Sequence, residues 1–245
     1  MILKKWDDLP ENMRVPEVRE YYDVLSKHRF ELFLKRVFDF AAALVLLMIL
    51  AIPMLVIALA IVLDSHGGAL FRQVRVTTYG KTYRIHNFRT MVADAERIGS
   101  KVTTAADPRV TKIGGFLRKY RLDELPQLLD VIAGTMSFVG TRPEVVRYVD
   151  AYSPEMNATL LLPAGITSEA SIRYKDEAAL LENASDADRV YIGEILPAKM
   201  KYNLASIRCF SLGGEIKTMF RTVLAVLGKD YSEKENRTET ELQHR

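Results

Sequence analysis

Apolar residues are concentrated in one uninterrupted block, and elsewhere they recur at helix or strand spacing. The block AAALVLLMILAIPMLVIALAIVL, from Ala41 to Leu63, runs for 23 residues without a charge. That is longer than the buried helix of a small soluble domain needs, and it predicts a membrane-embedded segment. It begins too far into the chain to read as a signal peptide. Fourteen of its residues are Leu, Ile or Val. At roughly 0.3 to 0.6 kcal/mol each near the bilayer centre, they favour insertion by about 4 to 8 kcal/mol. This outweighs the ~3 kcal/mol cost of Pro53 inside a helix. The Pro53 ring crowds the carbonyl of Ile49 and removes a backbone donor, which predicts a kink or break into two half-helices of about a dozen residues. Lys27, Arg29, Lys35 and Arg36 precede the block, and Arg72, Arg75, Lys81 and Arg84 follow it. Basic flanks favour the cytoplasmic side. Both ends are therefore expected on one face, as in a re-entrant hairpin; a spanning helix with a proline kink is the alternative.

In the polar stretch 1–34, Val18, Tyr21, Tyr22 and Leu25 fall at helical spacing and predict an amphipathic helix feeding the membrane segment. Beyond the block, Ala69 to Met91 alternates and contains Thr78-Tyr79-Gly80-Lys81, which predicts a β-hairpin with Gly80 in the turn. Gly80-Lys81-Thr82 is not a P-loop, because Arg75 stands where the upstream glycine is required. Helical signals dominate from Asp94 to Ile132, punctuated by Asp107-Pro108 and Gly114-Gly115, and Gly134 marks a helix stop. Thr135 to Arg142 reads as extended. A helix is expected from Pro143 or Glu144, with Val145, Val146, Val149 and Tyr152 on one face. Ile216, Met219, Phe220, Val223, Leu224 and Leu227 share a helix face opposite Lys217 and Arg221. This predicts a core helix or a helix on the bilayer surface, the latter favoured in a chain already anchored. Asp230 to Arg245 is expected to be a solvated, disordered tail.

The predicted fold class is α+β, mainly helical: a small membrane-associated catalytic domain with a short β-hairpin, a re-entrant anchor broken at Pro53, and amphipathic surface helices. The expected divisions are an N-terminal extension (1–34), a membrane helix-break-helix (35–66), a cytoplasmic catalytic domain (67–228) and a charged tail (229–245). The net charge of +3 is mild. It suits anionic headgroups or phosphorylated substrates more than a dedicated nucleic-acid binder. Cys209 is the only cysteine, which excludes an intrachain disulfide and fits a reducing compartment. His28, His66, His86 and His244 are scattered without ligand spacing, so a zinc site is not expected.

The candidate chemistry lies at Asp123-Glu124-Leu125-Pro126-Gln127. Asp123 is expected as the N-cap of a helix carrying Glu124, with Pro126 in the first turn. A lone Asp-Glu pair there is ordinary capping more often than catalysis. However, a helix start offers free N–H groups and positive potential for a phosphate, and Arg118, Lys119 and Arg121 stand just upstream. An ionised carboxylate can attack phosphorus while a neighbouring one holds magnesium. Together with the membrane segment, this pattern points to phosphoryl transfer involving a lipid.

Several long motifs then stand in a recognisable order: Phe71-Arg72-Gln73-Val74-Arg75, Gly80-Lys81, Asn87-Phe88-Arg89-Thr90-Met91, Asp107 to Gly114, Phe116-Leu117-Arg118, Leu122 to Leu128, and Met136-Ser137-Phe138-Val139-Gly140-Thr141-Arg142-Pro143. In these the chain resembles the bacterial sugar transferases, the monotopic polyprenyl-phosphate phosphoglycosyl transferases, from about Lys35 to Gly228. The resemblance implies transfer of a sugar-1-phosphate from a UDP-sugar to undecaprenyl phosphate, with release of UMP, at the start of surface glycan synthesis. It further implies Asp123 as nucleophile, Glu124 as the Mg2+ ligand and Arg118 on the transferred phosphate. Arg142 and Pro143 would serve at the nucleotide end of the donor, and Pro53 at the membrane break. The implied setting is the cytoplasmic face of the bacterial inner membrane, with membrane lipids as partners and a homodimer left open.

The chain departs from the family pattern at Ile52, where a serine often precedes the membrane proline, and at Thr77, where a glycine is usual. Thr141 replaces the first proline of Pro-Arg-Pro, and Pro163 to Ser171 follows the family's Pro-Gly-Ile-Thr-Gly segment only in part. Two rival readings are weaker. A glycosidase needs carboxylates about 5 to 10 Å apart across a sugar, which adjacent residues on one turn do not supply. A non-enzymatic membrane-anchored scaffold predicts that Asp123→Asn is harmless.

Overall fold

The computed structural model describes residues 3–93, 95, 107–174 and 186–226. The expected tail and most of the stretch between Asp94 and Asp107 lie outside them. Helix α1, Pro16–Lys27, opens with proline where the missing N–H costs nothing. Its Val18, Tyr21, Tyr22 and Leu25 are buried, as their spacing predicts. They pack with Leu3, Leu9 and Met13 against Leu160, Leu161, Leu204 and Ile207. The N-terminal stretch thus contributes to the domain core as well as leading into the apolar helix.

Helix α2, Arg29–Asp64, runs through Pro53 without interruption. The two expected half-helices are joined because proline deletes one backbone bond, while the turns on either side keep theirs. Ala43 and Ile61 are buried, and Leu50, Met54 and Ile57 pack toward the domain, forming one narrow stripe. Met48, Ile49, Ile52, Leu55, Leu59 and Leu63 are exposed. Among the described residues α2 is the one helix long and apolar enough to cross a membrane.

Strands β1, Leu70–Val76, and β2, Thr82–Phe88, pair antiparallel from Leu70 opposite Phe88 to Val76 opposite Thr82. The predicted hairpin is present, and Gly80 lies in its turn with φ 73°. Thr77, in the place of the usual glycine, is buried and useful: its hydroxyl donates to the Thr135 carbonyl (2.6 Å) and accepts from Ala164 N (3.2 Å). Helix α3, Lys112–Lys119, is capped by the Thr111 hydroxyl, which accepts from Gly114 N. A 3-10 turn, Leu122–Gln127, then leads into α4, Leu128–Ala133. Gly134 stops α4 as predicted, in the left-handed conformation (φ 83°). A side chain there would also crowd Arg36, whose guanidinium donates to the Val131 and Ile132 carbonyls.

Strand β3, Met136–Val139, pairs parallel with β4, Ala164–Thr167, a pairing the sequence reading did not foresee. Gly140 and Gly165 meet so closely that a Cβ on Gly165 would sit 2.2 Å from Gly140 N. The helix expected from Pro143 or Glu144 is a single turn, α5, Val146–Val149, which begins later and stops short of Tyr152. A 3-10 segment, Glu155–Leu161, precedes β4. After it come α6, Glu169–Arg173, and α7, Ala187–Val190. A π-helical turn, Tyr191–Ile195, continues into α8, Leu196–Arg208, and the last described helix is α9, Leu212–Val226.

Helix α9 is amphipathic in an inverted sense. Its inward side chains are mostly polar: Glu215 pairs with Lys35, Thr218 with Glu169, Arg221 with Glu169, and Thr222 with Thr167, while Met219 alone among these packs against the apolar core. Its outward ones include Ile216, Phe220 and Val223, which are 38, 67 and 57% exposed. Leu227 falls outside the described residues. An apolar face turned outward opposite a polar face turned inward suits a lipid surface better than water.

Candidate active site

Arg121 takes a left-handed conformation (φ 55°), which reverses the chain between α3 and the 3-10 turn. Asp123 therefore lies inside that turn and is not a helix N-cap, contrary to the sequence expectation. Pro126 cannot donate the bond to Leu122 that an α-helix would need here, so the segment tightens. The phosphate-binding helix start expected at Asp123 does not form, and the positive charge comes from side chains instead.

The two adjacent carboxylates occupy opposite environments. Glu124 is buried, and its Oε1 accepts from Arg142 Nη2 at 2.7 Å and from Arg121 Nη1 at 3.3 Å. Burial works against its charge, but the two arginines outweigh burial and hold the Glu124 carboxyl below the usual carboxylate range. Burial pushes the Asp123 carboxyl up, and the negative charge of Glu124 adds to this; Arg118 and Arg142 pull the other way without cancelling it. Among the described residues Asp123 makes no direct ion pair. Arg118 is held by its Nε–H donating to Thr90 Oγ1 (2.9 Å), and burial lowers its pKa against the stabilising charge of Asp123.

Four predicted site residues, Arg118, Asp123, Glu124 and Arg142, thus form one cluster. Pro143 stands beside it, its carbonyl accepting from Arg75 Nη1 (3.2 Å). Pro53 is on the exposed side of α2, outside the cluster. Lys119 turns away to lie over the Tyr120 ring. The sequence reading gave no role to Arg75, Thr90 or the Asn87–Gln127 bond (3.0 Å) that ties β2 to the 3-10 turn. Arg75, Asn87, Thr90 and Gln127 all fall within the recognised motifs, which was the available signal.

No group of three or more His, Cys, Asp or Glu side chains is arranged to hold a metal among the described residues. Magnesium does not require one, because it is commonly held by one or two carboxylates together with substrate phosphates and water. Glu124, ionised and beside a second carboxylate, fits that mode.

Similarity to known proteins extends over most of the chain. A family model described as bacterial sugar transferase matches residues 30–229. A UDP-N-acetylgalactosamine-undecaprenyl-phosphate N-acetylgalactosaminephosphotransferase of Aeromonas hydrophila is 32% identical over 80% of this chain and 44% of its own length. A UDP-glucose:undecaprenyl-phosphate glucose-1-phosphate transferase of Escherichia coli is 35% identical over 78% of this chain and 39% of its own length. An exopolysaccharide production protein of Rhizobium leguminosarum is 34% identical over 80% of this chain and 96% of its own length. The chain thus spans about two fifths of the length of the first two of these relatives and nearly all of the third.

Proposed function

This chain belongs to the bacterial sugar transferase family, and from that premise we propose that it transfers a sugar-1-phosphate from a UDP-sugar to undecaprenyl phosphate through a phosphosugar–aspartate intermediate. The carrying observation is the split between the carboxylates: Glu124 is held by Arg142 (2.7 Å) and Arg121 (3.3 Å), and Asp123 makes no such pair among the described residues, which pushes the two acids in opposite directions and suits them to different roles. Asp123, raised and without a direct ion pair among the described residues, is the more basic oxygen nucleophile. Glu124, kept ionised by Arg142 and Arg121, is the ligand for Mg2+, which when bound neutralises diphosphate charge.

In the first half-reaction an Asp123 oxygen attacks the phosphorus that carries the sugar. The P–O bond to the uridylyl phosphate breaks, and UMP leaves with the bridging oxygen and its electron pair. Arg118, beside Asp123, offsets the charge on the transferred phosphate, and Arg142 serves the nucleotide end of the donor, which departs with UMP. In the second, a phosphate oxygen of undecaprenyl phosphate attacks the same phosphorus. The acyl-phosphate bond breaks, and Asp123 returns as a carboxylate.

The lipid acceptor calls for a site at the headgroup plane, and the attachment of α2 supports this. Near its start, Lys35 donates to the Val139 carbonyl and Asp39 accepts from Ser137 Oγ (2.7 Å). At its end, Asp64 accepts from Ile113 N (3.2 Å), and the Ile61, Ser65, His66, Gly67 and Gly68 carbonyls accept from Arg89. A helix crossing the bilayer has its ends in opposite aqueous phases, roughly 30 Å apart. One polar domain cannot hold both ends unless it enters the hydrocarbon. A re-entrant anchor, in which the continuous α2 bends at Pro53 inside one leaflet with the domain on the cytoplasmic face, would meet the constraint.

The test is UMP release by purified protein given Mg2+, undecaprenyl phosphate and a panel of UDP-sugars. Release with one donor, lost in Asp123→Asn, and a trapped phosphosugar mapped to Asp123 by mass spectrometry are expected. No release from folded protein with any donor, or a phosphosugar on Glu124, refutes the assignment.

A further inference from the structure

The element carrying Arg142 is held in place by residues more than forty positions away in sequence. Glu144, two residues beyond Arg142, is buried. Its Oε1 accepts from the Tyr191 hydroxyl at 2.6 Å, and the ammonium of Lys199 lies 3.6 Å from the same oxygen. Lys199 also donates to the Tyr191 hydroxyl at 2.9 Å, which closes a buried triangle of Glu144, Tyr191 and Lys199. The main chain on either side is stitched to the hairpin. The Glu144 carbonyl accepts from Val76 N (2.9 Å), and the Pro143 carbonyl accepts from Arg75, a partly buried guanidinium whose charge Glu144 supports. Toward the N-terminus, Gly140 N donates to the Thr167 carbonyl (3.0 Å) and Gly165 N to the Thr141 carbonyl (2.9 Å). The segment 140–144 is thus fixed at both ends, with Arg142 between them reaching Glu124.

Tyr191 opens the π-helical turn and Lys199 lies in α8. The wide turn is an irregularity of the kind that often re-aims a side chain near a functional site. A carboxylate surrounded by Tyr148, Tyr152 and Tyr191 is costly to bury and is retained only when paired. The Glu144 charge balances Arg75 and Lys199, and because Glu144 stands two residues from Arg142, the place where it is pinned bears on the direction of Arg142.

We propose that Tyr191 and Lys199 are positioning residues for the donor half-reaction: through Glu144 they fix the Arg142–Pro143 corner that receives the phosphate and nucleotide portion of the UDP-sugar. This rests on the function proposed above and adds to it a third chain segment acting on one substrate only. In a two-step transfer through a covalent intermediate, kcat/KM for the donor reports only the first half-reaction, and kcat/KM for the lipid only the second. A general loss of folded protein lowers both in proportion.

The experiment measures both constants for the full chain in lipid nanodiscs, as wild type, Tyr191→Phe, and the double variant Glu144→Gln/Lys199→Met, which removes both buried charges together. Direct binding of the UDP-sugar is measured in an Asp123→Asn background. Expected is a fall of about ten- to a hundredfold in kcat/KM for the donor, a matching loss of donor binding, and an unchanged kcat/KM for undecaprenyl phosphate. Equal falls in both constants, or neither, overturn the positioning role. Wild-type initial-rate lines that intersect rather than run parallel reject the covalent scheme itself. The positioning role then stands or falls on the binding measurement, where unaltered donor affinity in the variants overturns it.

Discussion

Arg89 offers the sharpest stability prediction, because one side chain holds the exit of the apolar helix. Its Nε donates to the Gly68 carbonyl (2.6 Å), its Nη1 to His66 (2.8 Å), and its Nη2 to Ser65 (2.8 Å), Gly67 (3.2 Å) and Ile61 (3.5 Å). Helix ends leave carbonyls without partners, and this guanidinium gathers those of α2 and the loop after it. Replacing it with methionine keeps an unbranched stem, though a shorter one, and removes every donor. The Ile61 carbonyl retains its bond from Ser65 N. Of the other four, which are only partly buried, water reaches some. Taking roughly two as stranded at about 1 to 3 kcal/mol each gives a loss of about 2 to 6 kcal/mol. That is a large share of the roughly 5 to 15 kcal/mol that holds a domain together.

At about 2 to 4 °C per kcal/mol for a domain of this size, Arg89→Met lowers Tm by roughly 4 to 24 °C. Trp6, the only tryptophan, packs against the apolar cluster around α1 and reports unfolding by its fluorescence. Limited proteolysis reports the loop at residues 65–68 independently. Arg89→Lys keeps the charge but loses the planar fork, so it falls between the two. An Arg89→Met protein that melts within about 1 °C of wild type, with the loop still resistant, would refute the reasoning.

Two further predictions concern the nucleophile and the bilayer. Because Asp123 sits above the ordinary carboxylate range and only its ionised form attacks, kcat/KM for the donor falls as pH drops through that raised pKa. Arg118→Gln removes a charge that lowers the pKa and moves the acid limb higher still; a limb at the usual aspartate value in wild type contradicts this. For α9, the exposed fractions of Ile216, Phe220 and Val223, set against roughly 1.5 to 3 kcal/mol per fully buried side chain, make lipid contact worth about 2 to 5 kcal/mol. An environment-sensitive dye at Phe220→Cys, in a Cys209→Ser background, is expected to emit as in lipid and to be quenched by spin-labelled lipids, and water-like emission refutes the placement.

What the sequence disclosed was local. Alternation and a turn tetrapeptide are enough for the β1–β2 hairpin, Gly134 for the end of α4, and four apolar positions for the buried face of α1. Asp123 was misplaced by one structural step because N-cap chemistry looks the same whether the chain enters an α-helix or a 3-10 turn; the left-handed Arg121 that decides the matter has no signature of its own. The β3–β4 pair escaped because four-residue parallel strands separated by two dozen residues carry no pattern until Gly140 and Gly165 are brought together. Arg142 was found from its motif. Its support at Tyr191 and Lys199 was not, since a tyrosine and a lysine eight apart look like any helix surface. The polarity of α9 became clear only when its polar side chains met Lys35, Thr167 and Glu169.

The anchor and the site are parts of one mechanical unit. At the start of α2, Asp39 holds Ser137 on β3, and β3 continues within a few residues to Arg142, which grips Glu124. At the end of α2, the loop is gripped by Arg89, and its neighbour Thr90 holds Arg118. The two arginines that flank Asp123 are therefore suspended from opposite ends of the same apolar helix. The attachment of the apolar helix and the placement of the two arginines are thus made by the same contacts, and both arginine charges act on the Asp123 carboxyl.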